Sequence, residues 1–362
     1  MLYCELIKTR YSGSLKAYIQ GDIKNRSGKI VFLTVHDVGF NHKTFIPFTE
    51  HKSMIEVCKK SIWIHICLPG QDEDDETLPE TYNFPTLDEF AFDLFYVLDH
   101  FNVSTVVGLG EGAGANILCR FGLYYPNRCL GLILIDCTAA TAGMEEYLKY
   151  TVLNWKDGGT KMVEKVMEFF TYHRKGSGRY NDWKRSKFNE VNLSHYLDAY
   201  LRRSDISPLI ADDLRAETLV VVGRRSPYLQ QSTAMVDGMD KLHTTLLVME
   251  DLADPLFKAS ILVSGSHAPN ASAAYKINRM NPQSTTIVLI DGVEDVVGQA
   301  PKNLARALIL FCKGCGVLLG VPMLGLENEY KRVREKQSAN SAQLFIAQKV
   351  LADERTDHHK GH

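Results

Sequence analysis

The chain has no apolar run long enough to cross a membrane. Its hydrophobic stretches fall short of the roughly 18 consecutive apolar residues that a spanning helix needs. The first residues carry charges at Glu5, Lys8 and Arg10 and lack the apolar centre of a secretory signal peptide. We therefore predict a cytoplasmic protein without a transmembrane segment, and leave peripheral association with a membrane surface open.

The chain also lacks an excess of charge of either sign. It carries 41 Lys and Arg residues against 43 Asp and Glu residues, for a formal net charge of −2. A protein that binds nucleic acid normally presents a basic stripe to the phosphate backbone. The charge balance therefore predicts no nucleic-acid partner.

Cysteines are present but lack the spacing of a metal site. The eight cysteines are scattered through apolar segments, as is usual for reduced thiols of a cytosolic protein. Cys312 and Cys315 form a C-x-x-C pair, and a zinc site would need a second pair at a suitable distance. The sequence thus predicts no metal site, and it suggests no cofactor.

Strand-like and helix-like segments alternate through the first part of the chain. Continuous apolar runs at residues 30–35, 62–67 and 130–135 are separated by segments of helical periodicity, one of which begins with a capping box of Thr86 and Glu89. Apolar strands that alternate with helices are typical of a parallel sheet covered on both faces. The pattern predicts an α/β fold with a doubly wound, mostly parallel sheet.

A glycine-rich segment, residues 106–114, lies where an apolar run meets an apolar helix. In the G-x-S-x-G elbow of α/β-hydrolases, a sharp strand-to-helix turn carries a serine nucleophile at its middle position. Aligned on that motif, Gly108 and Gly112 are the outer glycines and Gly110 stands in place of the serine. We therefore predict an α/β-hydrolase-like fold with a helical cap, but without the attacking atom of a hydrolase.

The other members of a hydrolase triad are also missing where they are expected. The acid usually follows a strand that ends in glycine, and Ser226 and Ala268 stand three residues beyond the glycines that end the runs 219–223 and 261–265. The histidine usually precedes the last helix, and counting back from the start of that helix gives Glu294. Loss of a triad costs on the order of a million-fold in rate, so we predict that the protein is not an enzyme.

Two interpretations are open for the polar residues that follow the run 30–35. Asp37 is of a type that caps local backbone N–H groups. Alternatively, His36 and Asp37 line a remnant pocket together with Gly110, Glu111 and Glu294, in the region where hydrolases place an oxyanion-hole loop. A carboxylate such as Glu294 can act as a general base on water, which leaves an enzyme with non-triad hydrolytic chemistry as an alternative.

The same glycines also fit a dinucleotide-binding fingerprint. Residues 108–113 read G-x-G-x-x-A, and Asp136 ends the next apolar run, as an acidic residue that binds a ribose does. That fingerprint normally lies after the first strand of its domain, whereas two parallel strands are predicted ahead of it here. A dinucleotide-binding protein is therefore kept as a second alternative.

Several segments resemble the N-myc downstream-regulated (NDR) family. They are residues 33–43 (LTVHDVGFNHK), residues 69–71 (PGQ), residues 83–88 (NFPTLD) and the glycine-rich elbow, and the resemblance runs from about Tyr11 to Gly316. It implies an α/β-hydrolase fold without hydrolase catalysis. It also implies a signalling or adaptor role in the cytoplasm, in stress response or differentiation, with other proteins as partners.

Changes in composition divide the chain into four parts. In chain order, the expected parts are the first half of the core at 1–140, the cap at 141–213, the second half of the core at 214–322 and a charged, partly disordered tail at 323–362. Within the second half, a strand–helix–strand pattern at 218–251 recurs at 260–291. Such a recurrence is typical of a duplicated unit.

The predicted cap is rich in residue types that are enriched at binding hot spots. They are Tyr147, Tyr150, Trp155, Tyr172, Tyr180, Trp183, Tyr196, Tyr200, Arg202 and Arg203. We expect the exposed members of this set to contact partner proteins and the remainder to pack the cap onto the sheet.

Overall fold

The computed structural model describes residues 2–143, 188–223, 226, 228–240, 244–249, 288–289 and 295–322. The chain divides into two compact units, Met1–Leu319 and Gly320–His362, and the sheet described below belongs to the first.

The described strands form one sheet of nine strands in the order β1-β2-β4-β3-β5-β6-β7-β8-β9. The strands are β1 (Leu2–Lys8), β2 (Ser14–Gln20), β3 (Ile30–Val35), β4 (Ser61–Cys67), β5 (Val106–Glu111), β6 (Cys129–Ile135), β7 (Glu217–Gly223), β8 (Thr244–Met249) and β9 (Val288–Leu289). Strands β1 and β2 are antiparallel to their neighbours, and every pair from β4 to β9 is parallel. The predicted α/β, mostly parallel sheet is thereby confirmed.

Helices cover both faces of this sheet. They are α1 (Ile46–Glu50), α2 (Ile55–Lys59), α3 (Leu87–His100), α4 (Ala113–Tyr124), α5 (Glu190–Leu201), α6 (Ser207–Asp212), α7 (Leu229–Asp237), α8 (Val296–Gln299) and α9 (Pro301–Gly314). Every residue of β4 and β5 is buried, because both of their faces are covered. Within the described residues, no helix is long and apolar enough to span a membrane.

Local sequence signals determine where α3 begins and where α4 ends. Helix α3 begins with the predicted capping box, in which Glu89 N donates to Thr86 Oγ1 at 3.3 Å and Thr86 N donates to Glu89 Oε2 at 2.8 Å. Helix α4 ends at Tyr124, two residues before Pro126, because the ring of proline disfavours helix in the residue that precedes it.

A buried carboxylate on α3 fastens the turn between β1 and β2. Asp93 is fully buried, and its oxygens accept three backbone N–H groups, from Arg10 at 3.1 Å, Tyr11 at 3.0 Å and Ser12 at 2.6 Å. The antiparallel end of the sheet is thus tied to the helix layer through one side chain.

The described residues cover only part of the predicted duplication. Strand β7, helix α7 and strand β8 form the first strand–helix–strand unit, and β9 pairs with β8 in parallel. The run 261–265, which would open the second unit, lies outside the described residues. The duplication therefore stays a prediction.

Residues 188–213, the larger described part of the segment predicted as a cap, include both buried and exposed members of the predicted hot-spot set. Tyr196, Tyr200 and Arg203 are at most 5% exposed, so they are buried residues and are not among the exposed members expected to contact partners. Arg202 is exposed and its Nε lies 3.0 Å from Asp198 Oδ1, one helical turn away. The remaining six cap residues, Tyr147, Tyr150, Trp155, Tyr172, Tyr180 and Trp183, lie outside the described residues.

Candidate functional site

The sharp turn between β5 and α4 occurs at Gly112. Strand β5 continues through Glu111, and Gly112 then adopts φ +54° and ψ −118° before α4 begins at Ala113. The middle residue of an elbow makes this turn, so the middle position is Gly112. The sequence-based assignment to Gly110 is wrong, and Gly110 is a strand residue. Glycines alternate along this segment, which allows the motif to be aligned in two registers.

The glycines on either side of Gly112 allow α4 to approach the strands closely. A Cβ atom on Gly110 would lie 2.8 Å from backbone atoms of Ala115, and one on Gly114 would overlap the backbone carbonyl of Val35. The small-x-middle-x-small pattern is therefore Gly110, Gly112 and Gly114.

Asp37 fills the site that an oxyanion would occupy in a hydrolase. Its Oδ1 atom accepts hydrogen bonds from Val38 N at 2.7 Å and from Ala113 N at 2.8 Å. An oxyanion hole consists of the N–H of the residue after the nucleophile and an N–H from the loop after the corresponding strand. Ala113 follows the elbow residue and Val38 follows β3, so both donors are present and both are bound to Asp37. The expected capping of local N–H groups by Asp37 is confirmed.

The same carboxylate takes the space of a nucleophilic side chain. A Cβ atom on Gly112 would overlap Cγ and both oxygens of Asp37. Asp37 is only 5% exposed, so a displaced carboxylate would have to be accommodated among buried residues. A side chain at position 112 and the present position of Asp37 therefore exclude each other.

His36 is buried beside Asp37 with both ring nitrogens engaged. Leu68 N donates to Nε2 at 3.2 Å, so the proton lies on Nδ1, which is 2.8 Å from the carbonyl oxygen of Asp37. The phenol of Tyr196, on α5, donates to the carbonyl oxygen of His36 at 2.9 Å. Burial lowers the pKa of His36 to about 4, against the opposing effect of the hydrogen bond to Asp37. A neutral imidazole held in this way has a structural role.

This burial predicts a loss of stability in mild acid. Burial likewise lowers the pKa of His65 to about 3, so the unfolded chain binds protons that the folded protein excludes as the pH falls below about 6.5. The free energy of unfolding should decrease through this window, by on the order of 3 kcal/mol at pH 4 for His36 alone. Denaturant titrations near pH 7 and pH 4.5 measure it, and His65→Gln should show a shallower pH dependence. Equal stability at the two pH values would refute the prediction.

The remaining predicted positions are only partly described. Ser226 is buried, its N–H donates to the carbonyl of Gly223 and its Oγ accepts from Tyr228 N at 3.1 Å, so it shapes a turn. Glu111 is fully buried, and Asp136 is buried at the end of β6 with φ +49°. Ala268 and Glu294 lie outside the described residues. The structure thus brings His36, Asp37 and residues 110–114 together, and sequence reasoning missed Gly112 as their centre.

This sheet, with its glycine elbow opening α4, defines an α/β-hydrolase fold. Solved structures similar to the chain include an esterase from Thermogutta terrifontis (TM-score 0.57, 17% identity, 86% of this chain and 99% of the other). An enol-lactonase from Burkholderia xenovorans LB400 is also similar (TM-score 0.57, 9% identity, 85% of this chain and 100% of the other). At such low identity, the likeness establishes the fold alone.

Sequence comparison establishes the family. The model of the Ndr family matches residues 5–259 and 254–319, so the chain belongs to the Ndr family, as the resemblance of its motifs indicated. The two matched ranges overlap at residues 254–259. This overlap lies between the two copies of the predicted duplication.

Relatives of the chain come from distant organisms. An uncharacterized protein of Caenorhabditis elegans, ZK1073.1, is 36% identical over 330 residues, which cover 90% of this chain and 88% of that protein. Protein NDRG3 of Xenopus laevis is 31% identical over 242 residues, or 62% of this chain and 64% of that protein. An NDRG-like protein of Dictyostelium discoideum is 28% identical over 229 residues, or 60% of this chain and 70% of that protein.

Proposed function

We propose that this Ndr-family chain is a non-catalytic α/β-hydrolase-fold protein that acts in the cytoplasm as a signalling or adaptor protein, in stress response or differentiation, by binding other proteins. The observation that carries the proposal is the Asp37 carboxylate, bound to Val38 N and Ala113 N and set against Gly112. The site is occupied by the protein itself.

The electrostatics of the site support the absence of hydrolysis. Acyl transfer needs N–H donors aimed at a negative charge that develops on the substrate, and removal of one such donor costs about 10²–10³ in rate. Here two donors already bind a carboxylate, so a second negative charge would meet repulsion instead of stabilisation. No nucleophilic side chain is present at Gly112 either.

Neither alternative receives support from the described residues. A general base alone contributes perhaps 10²–10⁴-fold, and the candidate Glu294 lies outside the described residues. A dinucleotide would place its pyrophosphate at the start of α4, where the Ala113 N–H group already binds Asp37. The buried Glu111 would add a second carboxylate close to the phosphates.

An adaptor should keep its partners when only the buried site is changed. We expect the purified full-length chain and Asp37→Asn to recover the same proteins from a cytosolic extract, because binding is assigned to the surface of the protein. Equal amounts of the two purified proteins are attached to resin, and a thermal melt of each shows that it is folded. Resin without protein gives the background. Recovery of nothing above that background would contradict the proposal. Loss of the recovered proteins in a folded Asp37→Asn variant would move the function to the buried site.

A further inference from the structure

A second cluster of polar side chains lies where β4 ends. His42 opens a short 3-10 turn after β3, Cys67 is the last residue of β4, and Asp72 follows in the next loop. All three residues are at most 6% exposed. One nitrogen, one sulfur and one oxygen atom of the three side chains lie within 4.8 Å of one another.

The ring of His42 is fixed in place but one of its nitrogens is poorly satisfied. Tyr18 stacks on the imidazole with 3.4 Å between the ring centroids and 4° between the planes. Nδ1 is buried and lies 3.4 Å from Asp72 Oδ1, beyond the ordinary range of an N–H···O hydrogen bond. The imidazole thus points a buried nitrogen at a carboxylate without a good bond between them.

Asp72 is held in its ionised form and in one orientation. Its Oδ2 accepts from the Tyr18 phenol and from Lys16 Nζ at 3.2 Å, and its Oδ1 accepts from Glu73 N at 3.0 Å. The positive charge of Lys16 lies beside this carboxylate and favours its ionised form. Hydrogen bonds of this kind orient the ligands of metal sites.

The charges of the cluster are suited to a divalent cation. Lys16 Nζ also lies 2.6 Å from Asp75 Oδ1, so one lysine is paired with two carboxylates. These three side chains together carry a net charge of −1. Cys67 is buried, and a thiol gives up its proton when its sulfur becomes a metal ligand. An imidazole that binds a metal is uncharged, and loss of the thiol proton adds a second negative charge. A divalent cation therefore brings the net charge of the cluster to zero.

We propose that His42, Cys67 and Asp72 form a Zn²⁺ site, with Nδ1, Sγ and Oδ1 as ligands. Thiolate, imidazole and carboxylate are the usual protein ligands of zinc, and the soft sulfur ligand argues against Mg²⁺ and Ca²⁺. On binding, a Zn–S bond forms, the S–H bond breaks and the proton leaves to solvent, while water completes the fourth position. This proposal revises the expectation of no metal site. The three ligands come from separate segments of the chain, and their spacing does not match a known metal-binding motif.

The test is a titration of the metal-stripped full-length protein with Co²⁺ as a spectroscopic substitute for Zn²⁺. The tail residues His358, His359 and His362 could chelate metal independently, so all variants carry Ala at these three positions. We expect one equivalent of Co²⁺ to bind with a thiolate-to-cobalt charge-transfer band in the near ultraviolet, and Zn²⁺ to displace it. Cys67→Ser should lose the band, and His42→Gln should bind more weakly by more than the 10–100-fold that loss of an outer-sphere partner causes.

A matched control is the Cys119→Ser variant, which replaces a buried thiol on α4 and should keep the band. Unchanged far-ultraviolet circular dichroism shows that each variant folds. Absence of a charge-transfer band in the parent protein would overturn the proposal. So would a band that persists in Cys67→Ser or disappears in Cys119→Ser.

Discussion

Gly112→Ala is expected to lower the free energy of unfolding by roughly 3–6 kcal/mol. Part of the cost is backbone strain, on the order of 1–3 kcal/mol for a side chain at φ +54°. The rest arises because the new methyl group must displace the Asp37 carboxylate, which breaks two hydrogen bonds to a charged acceptor at about 1.5–3 kcal/mol each, partly recovered by rearrangement. Equilibrium unfolding in denaturant measures the change. The control is Gly314→Ala, where a Cβ atom meets nothing within 4 Å and little change is expected.

A double-mutant cycle separates the strain from the displacement of Asp37. In an Asp37→Ala background the carboxylate is gone, so Gly112→Ala should cost less than it does in the parent protein, by at least about 1 kcal/mol. The pair Gly314→Ala with Asp37→Ala should be additive. If the costs at positions 112 and 37 also add, the carboxylate does not occupy the space assigned to it.

Asp93→Ala is expected to destabilise the protein by about 4 kcal/mol or more. The substitution leaves the N–H groups of Arg10, Tyr11 and Ser12 without their common acceptor, and each hydrogen bond to a charged group contributes about 1.5–3 kcal/mol. Denaturant unfolding is again the measurement.

The control for Asp93 lies on the same helix. Asp99 is an exposed carboxylate 3.2 Å from Arg128, and loss of such a surface pair costs at most about 1 kcal/mol. Asp93→Asn keeps one acceptor oxygen and should fall between the two. Similar losses for Asp93→Ala and Asp99→Ala would show that Asp93 does not fasten the β1–β2 turn.

Much of the fold could be predicted from local patterns. The continuous apolar runs 30–35 and 62–67 correspond to β3 and β4, because a strand buried on both faces needs apolar residues at every position. The capping box of Thr86 and Glu89 involves residues three apart and is therefore visible in the sequence. Signals of this kind predict individual helices and strands, but they do not predict which residues that are distant in the chain contact each other.

The site could be predicted less well because its contacts are long-range. Glycines at 108, 110, 112 and 114 fit the elbow motif in two registers, and only the backbone conformation at Gly112 distinguishes them. The bond between Asp37 and Ala113 joins residues 76 positions apart in the chain. The convergence of His42, Cys67 and Asp72 likewise depends on how β3 and β4 pair in the sheet.

The most direct test of a self-occupied, non-catalytic site is hydrolysis of short-chain nitrophenyl esters by the purified full-length protein. The expected rate for the parent chain equals that of the heat-inactivated protein, because the Asp37 carboxylate binds both oxyanion donors and Gly112 has no side chain to attack the ester. Gly112→Ser is expected to be equally inactive, because the sequence has Glu294 where a hydrolase has the histidine that activates its serine. Saturable turnover by the parent chain, well above the inactivated sample and lost on Asp37→Asn in a folded protein, would contradict this account.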